Sequence, residues 1–385
     1  MKAVNLLGLI SLTAFIGACG GSGGPTGSGV SSASSTSSTN SSSSESSSSV
    51  SSSSSSSSST DNVSFCERMN RVVGFASMDE GTTGGAGGNS VTVTTGAQFA
   101  QALADKTSEP LTIFINGTIT PENSPGNKFE IKDMNDVSVI GVGDNALLDG
   151  IGIKIWRANN IIIRNLTIRY VNIGDKDGIS IEGPASNIWI DHNEIYNTLD
   201  SDKDFYDELV SGKRGVDNVT ISYNFLHDSW KTSLWGSSDT DEHHRRVTFY
   251  ANHWLNAESR MPLYRFGEAH VLNNLYQNIT STAVNSRMGA SILVEGTVFE
   301  NAKNPIVSFY SEEIGFWDVN DNIFENINWS PSPSDGVIAG PDVAATISYT
   351  PPYTYEAMPS SEVKEHVMAH AGVDKIGECL PSASD

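Results

Sequence analysis

The chain has 385 residues, of which 45 are acidic and 23 are basic, and its formal net charge is −22. This charge argues against nucleic acid or an anionic membrane surface as a general partner, because like charges repel. An acidic substrate meets the same repulsion unless a local basic patch or a metal ion intervenes.

The first residues predict an export signal. An apolar run from Val4 to Ile16 follows a basic residue, which is typical of a targeting segment over residues 1–18. The stretch Ile-Gly-Ala-Cys that ends at Cys19 resembles a bacterial lipobox, so we expect this cysteine to be lipidated. Two glycines follow, with no aspartate to signal inner-membrane retention, which favours an outer-membrane or cell-surface lipoprotein. An ordinary cleavage site and a secreted protein are the alternatives.

A segment rich in glycine and then serine covers residues 19–60 and contains almost no apolar side chains. Such a composition cannot bury a core and predicts a flexible linker. The expected folded part is therefore residues 61–385, which is large for one ordinary core but natural for a solenoid. No other apolar run is long enough to span a bilayer, so the only membrane contact that we expect is the lipid anchor.

Two further cysteines, Cys66 and Cys379, lie at opposite ends of the folded part. An exported protein meets conditions that permit a disulfide. The sequence does not show whether the two residues are close in space, so a bridge and two free thiols both stay open.

The folded part begins with irregular and mixed elements. The glycine-rich stretch Thr82–Gly88 lacks the Lys-Ser/Thr pair of a phosphate-binding loop, so it does not indicate a nucleotide site. Val91–Val93 is predicted to be a strand, and apolar residues at helical spacing predict a short amphipathic helix over Gly96–Asp105. A β-branched strand is predicted over Leu111–Ile119.

From there the chain repeats one short unit: a β-branched strand, a polar residue that is usually asparagine, and a second apolar strand. The successive asparagines are 22 to 31 residues apart and are Asn165, Asn193, Asn224, Asn252 and Asn274. Such self-similarity predicts stacked coils, and the units are too short and too β-rich for a helical solenoid. The predicted fold is therefore all-β, a right-handed parallel β-helix in which the asparagines form a hydrogen-bonded ladder between coils.

The open ends of such a solenoid expose apolar surface and unpaired strand edges. Two short capping helices are predicted to cover them. One is the Gly96–Asp105 helix, and the other is the tail segment Pro359–Gly372, whose apolar stripe contains Val363, Val367 and Met368.

Acidic residues interrupt the coils in two places. Asp175 and Asp177 lie between glycines and offer oxygen ligands for a hard cation such as calcium, although a plain polar turn has the same composition. Asp207 lies at the junction of an acidic loop and a strand. The other acids of that loop, including Asp204, are interpreted as solvated residues.

Basic residues follow at later strand ends. Lys231 comes directly after a strand, and Arg260 and Arg265 lie on either side of Pro262, which indicates a turn at a sheet edge. Each guanidinium offers a planar fork of donors that matches a carboxylate. Solvated ion pairs are the alternative for all three. The chain has no Gly-x-Ser-x-Gly, no zinc-type cysteine spacing and no Rossmann glycine pattern between strand and helix.

Taken together, the chain resembles a pectate lyase of polysaccharide lyase family 1 over about Val72 to Gly372. The motifs that carry this resemblance are Thr83–Gly88, Trp189–His192, Tyr206–Asp207, Gly236–Asp239 and Arg260–Arg265. The resemblance implies a monomeric, calcium-dependent lyase that cleaves de-esterified polygalacturonate by β-elimination. The residues that it assigns are Asp175, Asp177 and Asp207 as calcium ligands, Arg260 as base, and Lys231 and Arg265 as substrate-binding residues.

One departure from the family pattern concerns the metal. Ser211 stands where many members have an aspartate four residues after the Asp207 position, and Glu208 stands where a glycine is common. The calcium site therefore uses Glu208, keeps fewer protein ligands, or binds weakly until substrate supplies oxygens.

Three other functions fit the same fold. A pectin lyase acting on methylated substrate needs no calcium, and the three aspartates argue against it. A galacturonan hydrolase needs carboxylates as acid and base and no arginine centre. A non-catalytic surface protein that binds pectin predicts binding without product.

Overall fold

The computed structural model describes residues 64–331 and 336–382. The predicted signal peptide (residues 1–18), the predicted linker (residues 19–60) and the predicted lipidation site Cys19 lie outside the described residues. The described residues form three long sheets of parallel strands that wind around one core. The predicted parallel β-helix is therefore confirmed.

Twenty-eight short strands are numbered in chain order. The first ten are β1 (Asn89–Val93), β2 (Leu111–Ile115), β3 (Thr118–Ile119), β4 (Phe129–Lys132), β5 (Asn135–Gly141), β6 (Leu147–Asp149), β7 (Ile153–Trp156), β8 (Asn159–Arg164), β9 (Thr167–Arg169) and β10 (Ile179–Glu182). The next nine are β11 (Ala185–Asp191), β12 (Glu194–Tyr196), β13 (Val210–Lys213), β14 (Val216–Ser222), β15 (Phe225–Lys231), β16 (Ser233–Trp235), β17 (Arg246–Tyr250), β18 (His253–Ser259) and β19 (Leu263–Arg265). The last nine are β20 (Glu268–Leu272), β21 (Leu275–Ile279), β22 (Val284–Arg287), β23 (Ser291–Glu295), β24 (Val298–Ala302), β25 (Ile306–Ser308), β26 (Phe316–Asn320), β27 (Ile323–Glu325) and β28 (Val337–Ile338).

Each coil contributes one strand to each of three sheets. Sheet A has the order β1-β2-β5-β8-β11-β14-β17-β20-β23-β26. Sheet B has the order β3-β6-β9-β12-β15-β18-β21-β24-β27. Sheet C has the order β4-β7-β10-β13-β16-β19-β22-β25-β28, in which only the last pair is antiparallel.

Alternation along each strand separates the core from the outer surface. In β7, for example, Ile153 and Ile155 lie in the apolar core, so Lys154 and Trp156 face outward. The same alternation in the other strands of sheet C gives that sheet a polar and charged outer face. Residues far apart in sequence become neighbours on this face, because each coil places its strand beside the equivalent strand of the coil before.

Three α-helices are described: α1 (Phe65–Met69), α2 (Gly96–Ala104) and α3 (Ser360–His370). Helix α2 covers the first coil and buries Phe99 and Leu103 in the core, as predicted. Single 3-10 turns are found at Phe75–Ser77, Pro121–Asn123 and Gly377–Cys379. No helix that the structure describes is long and apolar enough to cross a membrane.

The predicted role of the tail helix is wrong. Helix α3 packs beside β21 and β24 of sheet B, where Val363 and Val367 contact Leu275 and Val298, and Met368 is exposed. The last coils are covered instead by strand β28 and by irregular chain, whose partly buried side chains that pack on the core include Val337 of β28 and Ile327, Ala339 and Val343 of the irregular chain. A helix needs only one apolar stripe, and the sequence of α3 does not specify which surface that stripe contacts.

The asparagine ladder lies at the turn from sheet A to sheet B. Asn193 donates to Asn224, Asn224 to Asn252 and Asn252 to Asn274, at 2.9, 3.0 and 3.0 Å. The prediction of Asn165 as a fifth member is wrong by one position. Its side chain donates to the carbonyls of Gly141 and Gly143, and the ladder position is occupied by Leu166, whose backbone N–H donates to Oδ1 of Asn193.

The two ends of the described chain meet beside sheets A and B. Cys66 in α1 and Cys379 form a disulfide, although 313 residues separate them in sequence. Met69 and Ile376 pack in the same small apolar cluster as α3.

Candidate active site

The predicted site residues lie on successive coils, and all but one lie where sheet B passes into sheet C. These are, in chain order, Asp175 and Asp177 before β10, Asp207 before β13, Lys231 at the end of β15, and Arg260 after β18. Arg265 lies at the far end of β19, on the outer face of sheet C. Because equivalent turns of neighbouring coils stack on one another, the fold gathers the other five along one edge of sheet C.

Lys231 is held by two carboxylates of the acidic loop. Its ammonium group lies 2.6 Å from Asp204 and 3.2 Å from Asp207. Burial disfavours the charged form of Lys231, but the hydrogen bonds that its ammonium donates to these carboxylates outweigh the effect of burial and raise the pKa of Lys231. The side chain of Asp204 is 87% exposed, so its contact with Lys231 can open at little cost. Asp204 is thus a partner of Lys231 rather than only a solvated loop residue.

Arg260 contacts a buried glutamate. Its guanidinium pairs with Oε1 of Glu208, a residue that is only 1% exposed. Oε2 of Glu208 is also buried, and it has no hydrogen-bond partner in the described part of the chain. Burial and the charges of Asp177 and Asp207 raise the pKa of Glu208 to about 8, although Arg260 opposes this shift.

Arg265 is fixed on the outer face of β19. Its Nε donates to Asp239 at 2.5 Å and its Nη1 donates to the carbonyl of Gly236 at 2.9 Å. Asp239 is part of the loop that follows β16, so a loop of the preceding coil orients the Arg265 guanidinium. The remaining donors of the fork are available for an anion on the open face of sheet C.

Asp177 is buried at the centre of the acidic group. Its Oδ2 accepts a 2.5 Å hydrogen bond from the Ser211 hydroxyl, and its Oδ1 accepts one from the backbone N–H of Glu208 at 3.1 Å. Burial, together with the charge of Asp207, raises the pKa of Asp177 to about 7. Ser211 thus replaces a missing carboxylate with a hydroxyl that binds the neighbouring one.

Asp175 lies in a different environment from that predicted. It pairs with Lys128 at 2.8 Å and with Lys154 at 3.0 Å, and it accepts a hydrogen bond from Ser180 at 3.1 Å. Burial disfavours its charge, but the two lysines outweigh burial and lower its pKa to about 2. In this structure, two lysines already neutralise the Asp175 carboxylate, and its predicted role as a calcium ligand stays a prediction.

A comparison with protein-family models matches residues 62–376 to the family described as pectate lyase. The chain is also 50% identical over 304 residues to the pectate trisaccharide-lyase of Bacillus licheniformis, a match that covers 79% of this chain and 86% of that protein. The chain belongs to the pectate lyase family. Its members are polysaccharide lyases.

Solved pectate lyase structures have the same architecture. A pectate lyase from a Bacillus species in complex with trigalacturonate superposes with a TM-score of 0.74 at 36% identity, covering 80% of this chain and all of that one. Pectate lyase C from Erwinia chrysanthemi, in a structure with Ca²⁺, gives a TM-score of 0.70 at 27% identity over 79% of this chain and 97% of that one.

In this pectate lyase, the residues that fit a metal ion are Asp177, Asp207 and Glu208. Oε2 of Glu208 is buried without a hydrogen-bond partner in the described residues, and burial raises the pKa values of Glu208 and Asp177, so a further cation beside these two carboxylates would be favourable. Asp177, Asp207 and Glu208 do not form a compact ligand group in this structure. In residues 64–331 and 336–382, the only group of three possible ligand atoms within 4.8 Å of one another contains Cys66 and Cys379, whose sulfurs are bonded to each other.

Sequence reasoning missed several partners in the site. Lys128 and Lys154 were not recognised as partners of Asp175, and Asp239 was not recognised as the partner of Arg265. Outward alternation in the strand of Lys154 was a usable signal, since Lys154 lies between two apolar residues that face the core. The loop that carries Asp239 has no periodicity, so nothing in the sequence specified its contact.

Proposed function

We propose that this protein cleaves de-esterified polygalacturonate by β-elimination and that calcium assists the reaction. The observation that carries the proposal is the meeting of two opposite groups at one sheet edge: the carboxylates Asp177, Asp207 and Glu208 lie beside Lys231 and Arg260. Lysine and arginine side chains can bind the carboxylates of an acidic polymer, and carboxylate oxygens are ligands for calcium. The names of the relatives and the trigalacturonate complex support the choice of substrate.

The ligand set that we propose for calcium differs from the set that the sequence implied. Asp177, Asp207 and Glu208 would hold the ion, whereas Asp175 stays with its two lysines. When bound, calcium would supply positive charge that lowers the cost of a carbanion formed next to a carboxylate.

Lys231 and Arg265 bind substrate carboxylates in this mechanism. Each is already oriented by a carboxylate of the protein, Lys231 by Asp204 and Arg265 by Asp239. A uronate that enters the site replaces or shares these contacts, so the side chains need little reorganisation. Because Asp204 is exposed, its exchange for a substrate carboxylate is the easier of the two.

Arg260 is the base in this mechanism, and Glu208 controls its charge. An arginine side chain is ordinarily protonated, because its pKa is above about 12. The contact with Glu208 stabilises the charged guanidinium, so Arg260 accepts a proton only after that contact is broken. If Glu208 helped to hold a calcium ion, its contact with Arg260 would weaken, and the positive charge of Lys231 beside Arg260 would then favour the neutral guanidine.

The proposed β-elimination needs one base and one proton donor. Arg260 takes the proton from C5 of the galacturonate, and the electron pair of that bond forms a C4–C5 double bond. The C4–O bond of the glycosidic linkage breaks, and the departing oxygen takes a proton from water. The hydroxide that remains takes the proton from Arg260, which restores the neutral base. The products are an unsaturated sugar at one new end and an ordinary reducing end at the other.

The test is ultraviolet absorbance of polygalacturonate at the wavelength of an unsaturated uronide, with calcium and then with excess chelator. We expect absorbance to rise with calcium and to stop rising with chelator. Arg260→Ala should abolish the signal and keep the β-rich circular dichroism spectrum. Arg246→Ala is the matched control, because Arg246 pairs with Asp217 on sheet A and should leave the rate unchanged.

Other outcomes identify other functions. A rise that ignores the chelator and is faster on methylated substrate indicates a pectin lyase. Reducing ends without absorbance indicate a hydrolase, and binding with neither signal indicates a non-catalytic protein. Each of these results contradicts the proposal.

A further inference from the structure

Sheet C carries a row of outward-facing side chains that extends well beyond the site described above. Strand pairing aligns one position of successive coils, and the row consists of Lys132, Trp156, Glu182, Lys213, Arg265 and Arg287. Between Lys213 and Arg265 the row is interrupted at β16, which ends at Trp235. It runs along the solenoid axis and includes Arg265, the predicted partner of a substrate carboxylate. A polymer that lies across the strands of sheet C therefore follows this row.

Near the first coils, the row contains an indole surrounded by cations. Lys132 Nζ lies 4.2 Å from the ring centroid of Trp156, the guanidinium carbon of Arg157 lies 4.1 Å from it, and Lys154 Nζ lies 5.2 Å from it. Trp156 is only half-buried, so part of the ring faces solvent. Three cations at one aromatic residue form an unusual concentration of positive charge in a protein whose net charge is −22.

The protein neutralises only part of this charge. Lys154 pairs with Asp175 and Glu182, so it is committed to the sheet. Arg157 pairs with Asp133, a residue whose side chain is 55% exposed and whose contact is open to exchange. Lys132 forms no ion pair with any residue in the described ranges 64–331 and 336–382. One free ammonium and one exchangeable guanidinium thus lie beside an accessible indole.

We propose that Trp156, Lys132 and Arg157 form a distal subsite for one galacturonate of a long substrate chain. A uronate has an apolar C–H surface that suits the indole and a carboxylate that suits the two cations. The subsite is four strands from Arg265 along the row, about 19 Å at a spacing of about 4.8 Å per strand. This inference rests on the proposed function, because it extends the same substrate along the same face.

Chain length separates this subsite from the reacting centre. Trigalacturonate held at Arg260 does not extend to Trp156, whereas decagalacturonate spans the whole row. We therefore measure calorimetric binding of both oligomers in the Arg260→Ala background with calcium. Trp156→Ala is expected to weaken decagalacturonate binding about tenfold and Lys132→Ala about threefold, with trigalacturonate binding unchanged. Trp156→Phe keeps an aromatic ring and should retain most of the affinity.

Lys375→Ala is the matched control, because Lys375 is an exposed lysine outside sheet C and its removal changes the net charge equally. It should leave both affinities unchanged. Unchanged decagalacturonate binding in Trp156→Ala, or an equal loss for both oligomers, overturns the subsite. Turnover by the unmodified protein is measured in parallel. If turnover is absent but the length-dependent loss is seen, the lyase proposal fails and the subsite stands; if neither oligomer binds, the subsite fails as well.

Discussion

At the scale of single residues, each predicted cation of the site already has a carboxylate partner. Lys231 pairs with Asp204, Arg265 with Asp239, and Arg260 with Glu208. The first two partners are at least partly exposed, whereas Glu208 is buried and leaves one oxygen unpaired. An unpaired buried carboxylate oxygen is costly, and the cost persists unless a cation approaches. If the proposed calcium site is correct, we expect Glu208 to respond most strongly to the metal ion.

Replacement of Glu208 by glutamine tests this view through pH. In the metal-free fold the pKa of Asp177 is about 7 and that of Glu208 about 8, against ordinary values near 4 in an unfolded chain. The folded state then binds more protons than the unfolded state between about pH 4 and pH 8, so the free energy of unfolding falls as pH rises through this window. In chelator, the melting temperature of Glu208→Gln should fall several degrees less than that of the wild type between about pH 5 and pH 8.5.

Calcium provides the second half of the same measurement. Ligands must lose their protons to bind, and binding to the folded state raises the melting temperature. Calcium should therefore stabilise the wild type more than Glu208→Gln, and more at pH 8 than at pH 6. Glu300→Gln is the control, since Glu300 pairs with Lys364 away from the site. Equal calcium shifts in wild type and Glu208→Gln contradict Glu208 as a ligand.

At the scale of elements, the repeated strands were predictable and their connections were not. A strand that faces the core in every coil leaves a periodic apolar pattern, and that pattern identified the coils. The ladder position in this coil was harder to predict, because the residue at the neighbouring bend, Asn165, is an asparagine like the true members of the ladder. The local sequence favours asparagine at both positions, one for its side-chain hydrogen bonds and one for a left-handed backbone with φ of +58°.

The site shows the same division. Asp177, Asp207, Lys231, Arg260 and Arg265 lie at strand ends, where the repeat sets their position. The structure brings the first four to one edge of sheet C and places Arg265 on the outer face of that sheet. The environment of Asp175 depends on lysines of two earlier coils, Lys128 and Lys154. Those contacts follow from the register between coils, which a single sequence does not give. Pairings made by irregular loops were unpredictable for the same reason.

Replacement of one asparagine of the buried ladder should show how much the ladder contributes to the free energy of unfolding. The amide of Asn224 donates to Asn252 and Ile190 and accepts from Asn193, all without access to water. Asn224→Ala leaves these groups unpaired and should lower the free energy of unfolding in urea by about 3 kcal/mol.

The exposed asparagine ladder provides a matched control. Asn301 donates to Asn278 and accepts from Asn326 on the surface, where water replaces a lost partner. Its φ of +52° favours glycine as the replacement, so Asn301→Gly should cost less than about 1 kcal/mol. Similar losses for both variants contradict the view that burial gives the inner ladder its importance.

At the scale of the whole molecule, an acidic protein must attract an acidic polymer. The net charge is −22, yet the outer face of sheet C concentrates lysines and arginines from Lys132 to Arg287 along one line. Charges close to the bound polymer matter more than the net charge, because salt screens charges that are more than about 8–10 Å away. We therefore expect an acidic chain to bind along this row rather than across the acidic remainder of the surface.

The same polymer is too large to enter a cell, so the location of the protein decides whether it meets its substrate. We predict that lipidation of Cys19 retains the protein at the membrane, because each buried methylene of an acyl chain contributes about 0.8 kcal/mol. Cys19→Ser should move the protein from the membrane fraction to the soluble exported fraction, as measured by fractionation and radiolabelled palmitate. Lyase activity per molecule should not change, since the site is built only from residues after Cys66. A Cys66→Ser variant, which keeps Cys19, should stay labelled and membrane-bound; Cys19→Ser protein that remains labelled and in the membrane fraction contradicts the anchor.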